Sequence, residues 1–269
     1  MDNATPLDTA HARMQGAPDD GASRLQYYER LAEAELYLML DHDPTDDRIV
    51  PTVFPVDGGN FALVFDTAER LAEFSDKITP YAAMSGRKIA ALLAGQGIGL
   101  GVNLGAAQSS FLIPAQAVDW LAGTLASEPV EVRQQPSEIF APFGVPEQVL
   151  HALDAKLALC AGMAKIAYLA GADYQDAGRA HLLAVIDPLP GAEPAISSAI
   201  NEALVFCGIE VGSIDVTFLR AHDPVCAKLA KVGLRFDLPV VSKAWSPSNS
   251  DAVPGSSPGM DPDAPPRLR

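Results

Sequence analysis

The chain has 269 residues, and 48% of them are hydrophobic, enough to build the cores of two ordinary domains. Lys and Arg number 19 against 34 Asp and Glu, a net charge of -15. That balance argues against nucleic acid, whose phosphates need clustered Lys and Arg, and against an anionic membrane surface; it suits a basic protein partner.

Residues 1–22 are rich in Asp, Ala and Gly without a clear period, which predicts a disordered tail. Leu25, Tyr28, Leu31 and Ala32 recur at helical spacing, and the apolar run 36–40 reads as a buried strand. Residues 41–47 form a polar loop containing Pro44. Two apolar segments, 52–56 and 60–65, flank Asp57-Gly58-Gly59, and Asp-Gly supplies the positive φ of a tight hairpin turn. Asp66 with Glu69 three residues later matches a capping box ahead of Leu71 and Phe74. A helix over about 85–93 ends at Gly95. Residues 98–102 predict a strand despite their glycines, Asn103-Leu104-Gly105 a turn, and 111–113 a short strand. Pro114 then opens a helix over 115–125.

Pro129, Pro136 and several charges mark 127–145 as a linker. A second domain over 146–240 opens with a helix carrying Val149, Leu150, Leu153 and Leu157 on one face. Strands are predicted over 164–170, 181–186, 214–219 and 234–238. Helices are predicted over 194–206 and 224–232, the latter capped by Asp223. Residues 241–269 are dominated by Ser, Pro, Gly and Asp, the composition of a disordered tail. The fold class expected is α+β: two domains, 23–126 and 146–240, each a mixed β-sheet covered by helices, between disordered N- and C-terminal tails.

The order of short motifs in the first domain resembles one bacterial family. Tyr27-Tyr28-Glu29 with Leu31, Glu35 and Leu36 lead into a strand. Val53-Phe54-Pro55-Val56, Phe65-Asp66-Thr67, Tyr81-Ala82, Gly86-Arg87, Val102-Asn103-Leu104-Gly105 and Ile113-Pro114 follow. The series resembles the N-terminal domain of the SseB family, and residues 146–239 resemble that family's C-terminal domain. One departure is Leu104, where the family often has Pro after the Asn. The resemblance implies a non-catalytic module with no catalytic residues to transfer. It also implies an immunity-type or secretion-linked binding partner as the alternative role, with an uncharacterised enzyme as a third.

The motifs that suggest chemistry each lack a requirement. Gly95, Gly97, Gly99, Gly101 and Gly105 never reach GxGxxG spacing, since Leu100, Val102 and Leu104 occupy the third glycine position. A strand packed close to a neighbouring backbone explains them better. Gly255-Ser256-Ser257-Pro258-Gly259 spells GxSxG in a Pro-rich tail, without the strand-turn-helix context that makes a serine nucleophilic. The acidic loop 41–47 has Asp46 and Thr52 where a calcium loop needs Gly and Glu. Among His11, His42, His151, His181 and His222, only His222 has a His or Cys at i+4, namely Cys226, and no third His or Cys stands near that pair in the sequence. Cys160, Cys207 and Cys226 lie far apart in apolar surroundings, as reduced thiols do.

No catalytic residue, metal site or cofactor is therefore expected. No basic-then-apolar leader opens the chain, and the longest apolar run, 157–172, is interrupted by Lys165, which predicts a cytoplasmic location. Arg87 and Lys88 stand in the first turn of a helix, where the dipole disfavours positive charge, so pairing with an acid is expected there. Tyr81, Arg87 and Asn103 are the residues expected on an interaction surface for a protein partner.

Overall fold

The computed structural model describes residues 4–43, 49–56, 58–127, 136–175, 178–209 and 214–239. In chain order the first domain contains α1 (Pro6–Gly16), α2 (Gly21–Glu33), β1 (Glu35–Met39), β2 (Val53–Val56) and β3 (Gly59–Phe65). It continues with α3 (Ala68–Ser75), β4 (Tyr81–Ser85), α4 (Gly86–Leu93), β5 (Ile98–Val102), β6 (Phe111–Ile113) and α5 (Ala115–Ala126). The strands lie in the order β4-β1-β3-β5-β6, with β2 paired to β3. Only β3 and β5 are parallel; every other pair is antiparallel.

The disorder predicted for residues 1–22 is corrected over Pro6–Gly16 by α1, while residues 1–3 lie outside the described residues. Thr5 and Asp8 form a reciprocal capping box: the Thr5 hydroxyl accepts from the Asp8 amide at 3.1 Å, and the Asp8 carboxylate accepts from the Thr5 amide at 2.8 Å. Pro6 fills the first helical position, and Leu7, His11 and Met14 bury one face at i, i+4 and i+7. Two large apolar residues form a thin stripe; His11 completes it edge-on to the rings of Tyr27 and Phe111. At Asp66 the cap shifts by one residue, because Thr67 caps α3 by accepting from the Arg70 amide.

β4 is a further strand that propensity hides. Tyr-Ala-Ala-Met-Ser has no β-branched residue. Tertiary pairing wins: five residues run antiparallel along β1, from Glu35 opposite Ser85 to Met39 opposite Tyr81. On β5 a Cβ at Gly99 would collide with the Ile113 carbonyl, and one at Gly101 would come within 2.7 Å of Leu63 and Leu104 side-chain carbons. Gly99 thus admits the close approach of the β6 backbone, and Gly101 makes room for the Leu63 and Leu104 side chains.

The sheet is covered unequally. One face packs Leu36, Leu38, Val64, Leu100 and Val102 against Tyr27, Leu31, Ile89, Val118 and Leu121 of α2, α4 and α5. The other carries a smaller cluster of Met39, Leu63, Phe65 and Leu71 under the eight-residue α3 alone.

The second domain contains β7 (Glu138–Phe140), α6 (Glu147–Leu159), β8 (Ile166–Tyr174), β9 (Gly178–Ile186), α7 (Glu193–Phe206), β10 (Ile214–Leu219), α8 (Pro224–Val232) and β11 (Leu234–Asp237). Its strand order is β10-β9-β8-β11, with β7 on β8. β9 and β10 are parallel because α7 crosses between them; the remaining pairs are antiparallel. α6 and α7 cover one face, and α8 covers the other. β7 corrects part of the predicted 127–145 linker, since Ile139 is buried and three residues pair with β8. Residues 128–135 and the predicted tail 241–269 lie outside the described residues.

The two domains dock. Phe206, the last residue of α7, is fully buried in the core of the first domain, where its ring meets Trp120 of α5 edge-on at 6.2 Å. Among the described residues no helix is long and apolar enough to cross a membrane.

Candidate functional site

The three residues expected on a surface have three different fates. Asn103 is corrected outright: it is fully buried, with φ at 49°. Its side-chain carbonyl accepts from the Asp66 amide at 3.1 Å, and its amide donates to the Ser109 hydroxyl at 3.1 Å. A buried polar side chain with both ends satisfied braces the backbone and is closed to a partner. Asn tolerates the left-handed conformation that the turn after β5 requires, which is why an exposed loop was the natural expectation.

Asn103 belongs to a polar network that fastens α1. Ser109 passes its own hydroxyl hydrogen to Asp8 at 2.5 Å, and Thr5 donates to Asp66 at 2.5 Å. Arg70 grips Asp8 with two nitrogens, at 2.9 and 2.6 Å, and reaches Asp66 at 2.7 Å. Burial works to raise the Asp8 pKa, but the bonds from Arg70, Ser109 and Thr5 outweigh it and hold the carboxyl far below the usual range. The same carboxylates raise the Arg70 pKa against the effect of its burial. One guanidinium serves both carboxylates, and the hydroxyls of Ser109 and Thr5 supply further donors, so the cluster ties α1 to α3 and to the turn after β5.

Arg87 pairs with an acid, and that acid is in the other domain. Its two terminal nitrogens reach Glu202 of α7 at 2.8 and 3.0 Å. Glu202 also accepts from Lys156 of α6, at 3.2 Å. Lys156 is 4% exposed, and its ammonium reaches back across the seam to Glu33 at 2.5 Å and Glu29 at 3.0 Å, both on α2. Three carboxylates therefore take the three N–H donors of one ammonium. Burial disfavours the Lys156 charge, yet the Glu33 and Glu29 contacts outweigh it and raise the pKa. Burial likewise pushes against ionised Glu202, but Arg87 and Lys156 bring its pKa below the ordinary value.

Lys156 thus ties α6 and α7 of the second domain to α2 of the first. Sequence reasoning passed over Lys156 and Glu202; the available signal was a lysine beside Leu153 and Leu157 on the buried face of α6.

Cys160, one turn beyond Lys156, is buried with its thiol pKa raised by burial, and Cys226 is raised for the same leading reason. Neither has the lowered pKa of a reactive thiol. All three cysteines are free. Among the described residues no three His, Cys, Asp or Glu side chains gather as a metal-ligand set.

Tyr81 alone of the three stands open. It is 48% exposed on β4, an edge strand, with its ring tilted against Tyr37 at 5.5 Å. Ile78, in the turn before β4, is wholly exposed, and Phe74 of α3 is partly exposed against Phe54 and Phe65. Glu69 and Glu73 on α3, Asp76 at its end and Asp41 just after β1 are exposed on the segments that carry or adjoin these side chains, with Lys77 among them. No hydrogen bond or ring contact joins Tyr81, Arg87 and Asn103 to one another among the described residues.

This architecture defines a two-domain α+β protein with mixed sheets, an ionic seam, and one thinly covered sheet face. Residues 7–120 match the model for the SseB protein N-terminal domain. The first domain of the chain is thus a domain of the SseB family, and the match begins inside α1, ahead of the expected boundary at residue 23. No curated protein and no solved structure matches the chain.

Proposed function

We propose that this chain is a non-catalytic, cytoplasmic protein-interaction module, and that its α3 face receives a basic partner protein. The observation that carries this reading is the exposed apolar side chains Phe74, Ile78 and Tyr81, beside an edge of β4 that is unpaired among the described residues, on segments rich in exposed acids. Apolar centre and polar rim are the anatomy of a protein interface, and aromatic side chains are favoured at its centre. An unpaired strand edge adds backbone donors and acceptors that an extended segment can use. The exposed acids select for Lys or Arg on that segment. The resemblance of residues 146–239 to the family's C-terminal domain is part of the same reading: the second domain supports the first and leaves its α3 face free.

The test places a photo-crosslinking residue at Tyr81 and, as control, at Leu234 of the second domain. Illumination in the native lysate should join a basic protein to position 81 and not to position 234. Equal products from both positions, or none from position 81, would reject the surface.

A further inference from the structure

A cleft of about 490 Å³ opens along the domain seam, on the opposite side of the first sheet from α3. Each domain contributes two helices: α1 and α2 from the first, α6 and α7 from the second. Among the residues around it Arg13, Arg30, Gln148 and His151 are exposed, while Phe206 and Cys207 lie buried behind it. The volume is that of an ordinary small-molecule site.

The charge of this cleft runs against that of the molecule. In a chain of net charge -15, two arginines converge on one opening. Arg13 makes its side-chain bond to the neutral amide of Gln26, at 3.2 Å, and has no carboxylate partner among the described residues. Arg30 contacts Glu33 at 3.4 Å, but Glu33 is held more closely by Lys156 at 2.5 Å. Two acids lie near: Glu29 lines the cleft with its charge met by Lys156 at 3.0 Å, and Glu147 stands 3.9 Å from His151. The guanidinium forks of Arg13 and Arg30 therefore keep donors to spare, and such forks match carboxylate and phosphate oxygens.

We propose that the cleft binds a small molecule bearing two anionic groups, carboxylate or phosphate, which bridges Arg13 of α1 and Arg30 of α2 between the walls that the two domains supply. The site is separate from the α3 face and independent of the partner proposed for it. Because its walls come from both domains, the ligand binds the docked arrangement and stabilises it.

The probes are citrate and inorganic pyrophosphate, titrated into the full chain at low ionic strength and followed by calorimetry and melting temperature. A saturable signal from citrate identifies carboxylate, one from pyrophosphate identifies phosphate, and either supports the site. Sodium chloride at matched ionic strength should give no saturable signal. Arg13→Ala with Arg30→Ala should weaken binding at least tenfold, while Arg179→Ala, on the second sheet, should leave it unchanged. Arg13 and Arg30 are exposed, so the variants should melt close to the parent without ligand. No saturable signal from either probe, or equal affinity in the double variant, would overturn the proposal.

Discussion

Replacing Lys156 with Met tests what the domain seam contributes. Met matches the stem of Lys156 in bulk and removes the ammonium, leaving Glu29, Glu33 and Glu202 facing one another around an apolar tip. Removing one member of a buried ion pair typically costs about 3–5 kcal/mol. Glu29 and Glu33 retain 24% side-chain exposure, and water there eases the repulsion, so the lower end applies: about 3 kcal/mol, roughly a hundredfold in the unfolding equilibrium. Trp120 reports on the seam directly because its ring touches Phe206. With Trp245→Phe as the background, Trp120 is the only tryptophan, and urea unfolding followed by its fluorescence gives both the stability and the state of docking. Adding Glu29→Gln and Glu33→Gln to Lys156→Met should recover more than 1 kcal/mol of the loss, since neutral amides no longer repel. A loss below about 1 kcal/mol with unchanged Trp120 emission would refute the view that this ammonium holds the domains together.

The remaining predictions follow from the same geometry. Arg87→Ala should cost only about 1 kcal/mol, because the Arg87 side chain is 42% exposed and its pair with Glu202 is screened; urea melts would show it, and a loss equal to that of Lys156→Met would contradict the ranking. Gly86→Ala should destabilise by about 2 kcal/mol or more, since its Cβ would strike the Leu31 carbonyl where α4 seats on α2, and a neutral thermal melt would count against that packing. Asp8 has a depressed folded pKa, so its contribution is present above the unfolded carboxyl value of about 3.9 and is lost as pH falls from there toward the folded value. Amide NMR signals of Leu7 and Met14 should therefore report release of α1 below about pH 4 in the parent chain. In Asp8→Asn that release should already be present at pH 6.

What the sequence discloses depends on whether its signal is local. The hairpin around Gly58, the glycine-rich β5 and the Ser85-capped α4 each rest on neighbours within a few residues, and each stands where residue patterns place it. α1 was obscured because one of its three buried residues is His11, which counts as polar until the rings of Tyr27 and Phe111 are seen around it. β4 is a strand because β1 pairs with it, against its own Ala and Met content. Arg87 at a helix N-terminus correctly announced an acidic partner, but Glu202 lies 115 positions away and only the docked fold brings it near. Asn103 reads as an open turn from its Gly105 neighbour, while burial by Ser109 and Asp66 is a tertiary fact. The seam is the part least legible in the chain, because its five charges come from four helices in two domains.

The central claim is that the α3 face, centred on Tyr81, binds a basic protein. The most direct measurement is the affinity of the protein crosslinked at position 81, compared between the parent chain and Tyr81→Asp with Ile78→Asp, at 50 and 300 mM salt. These side chains are exposed, so the substitutions spare the fold. The account predicts that the parent binds and weakens several-fold at the higher salt, as the Debye length shrinks, and that the double variant loses binding at both. Equal affinity in the two chains, or binding that ignores salt, would contradict it.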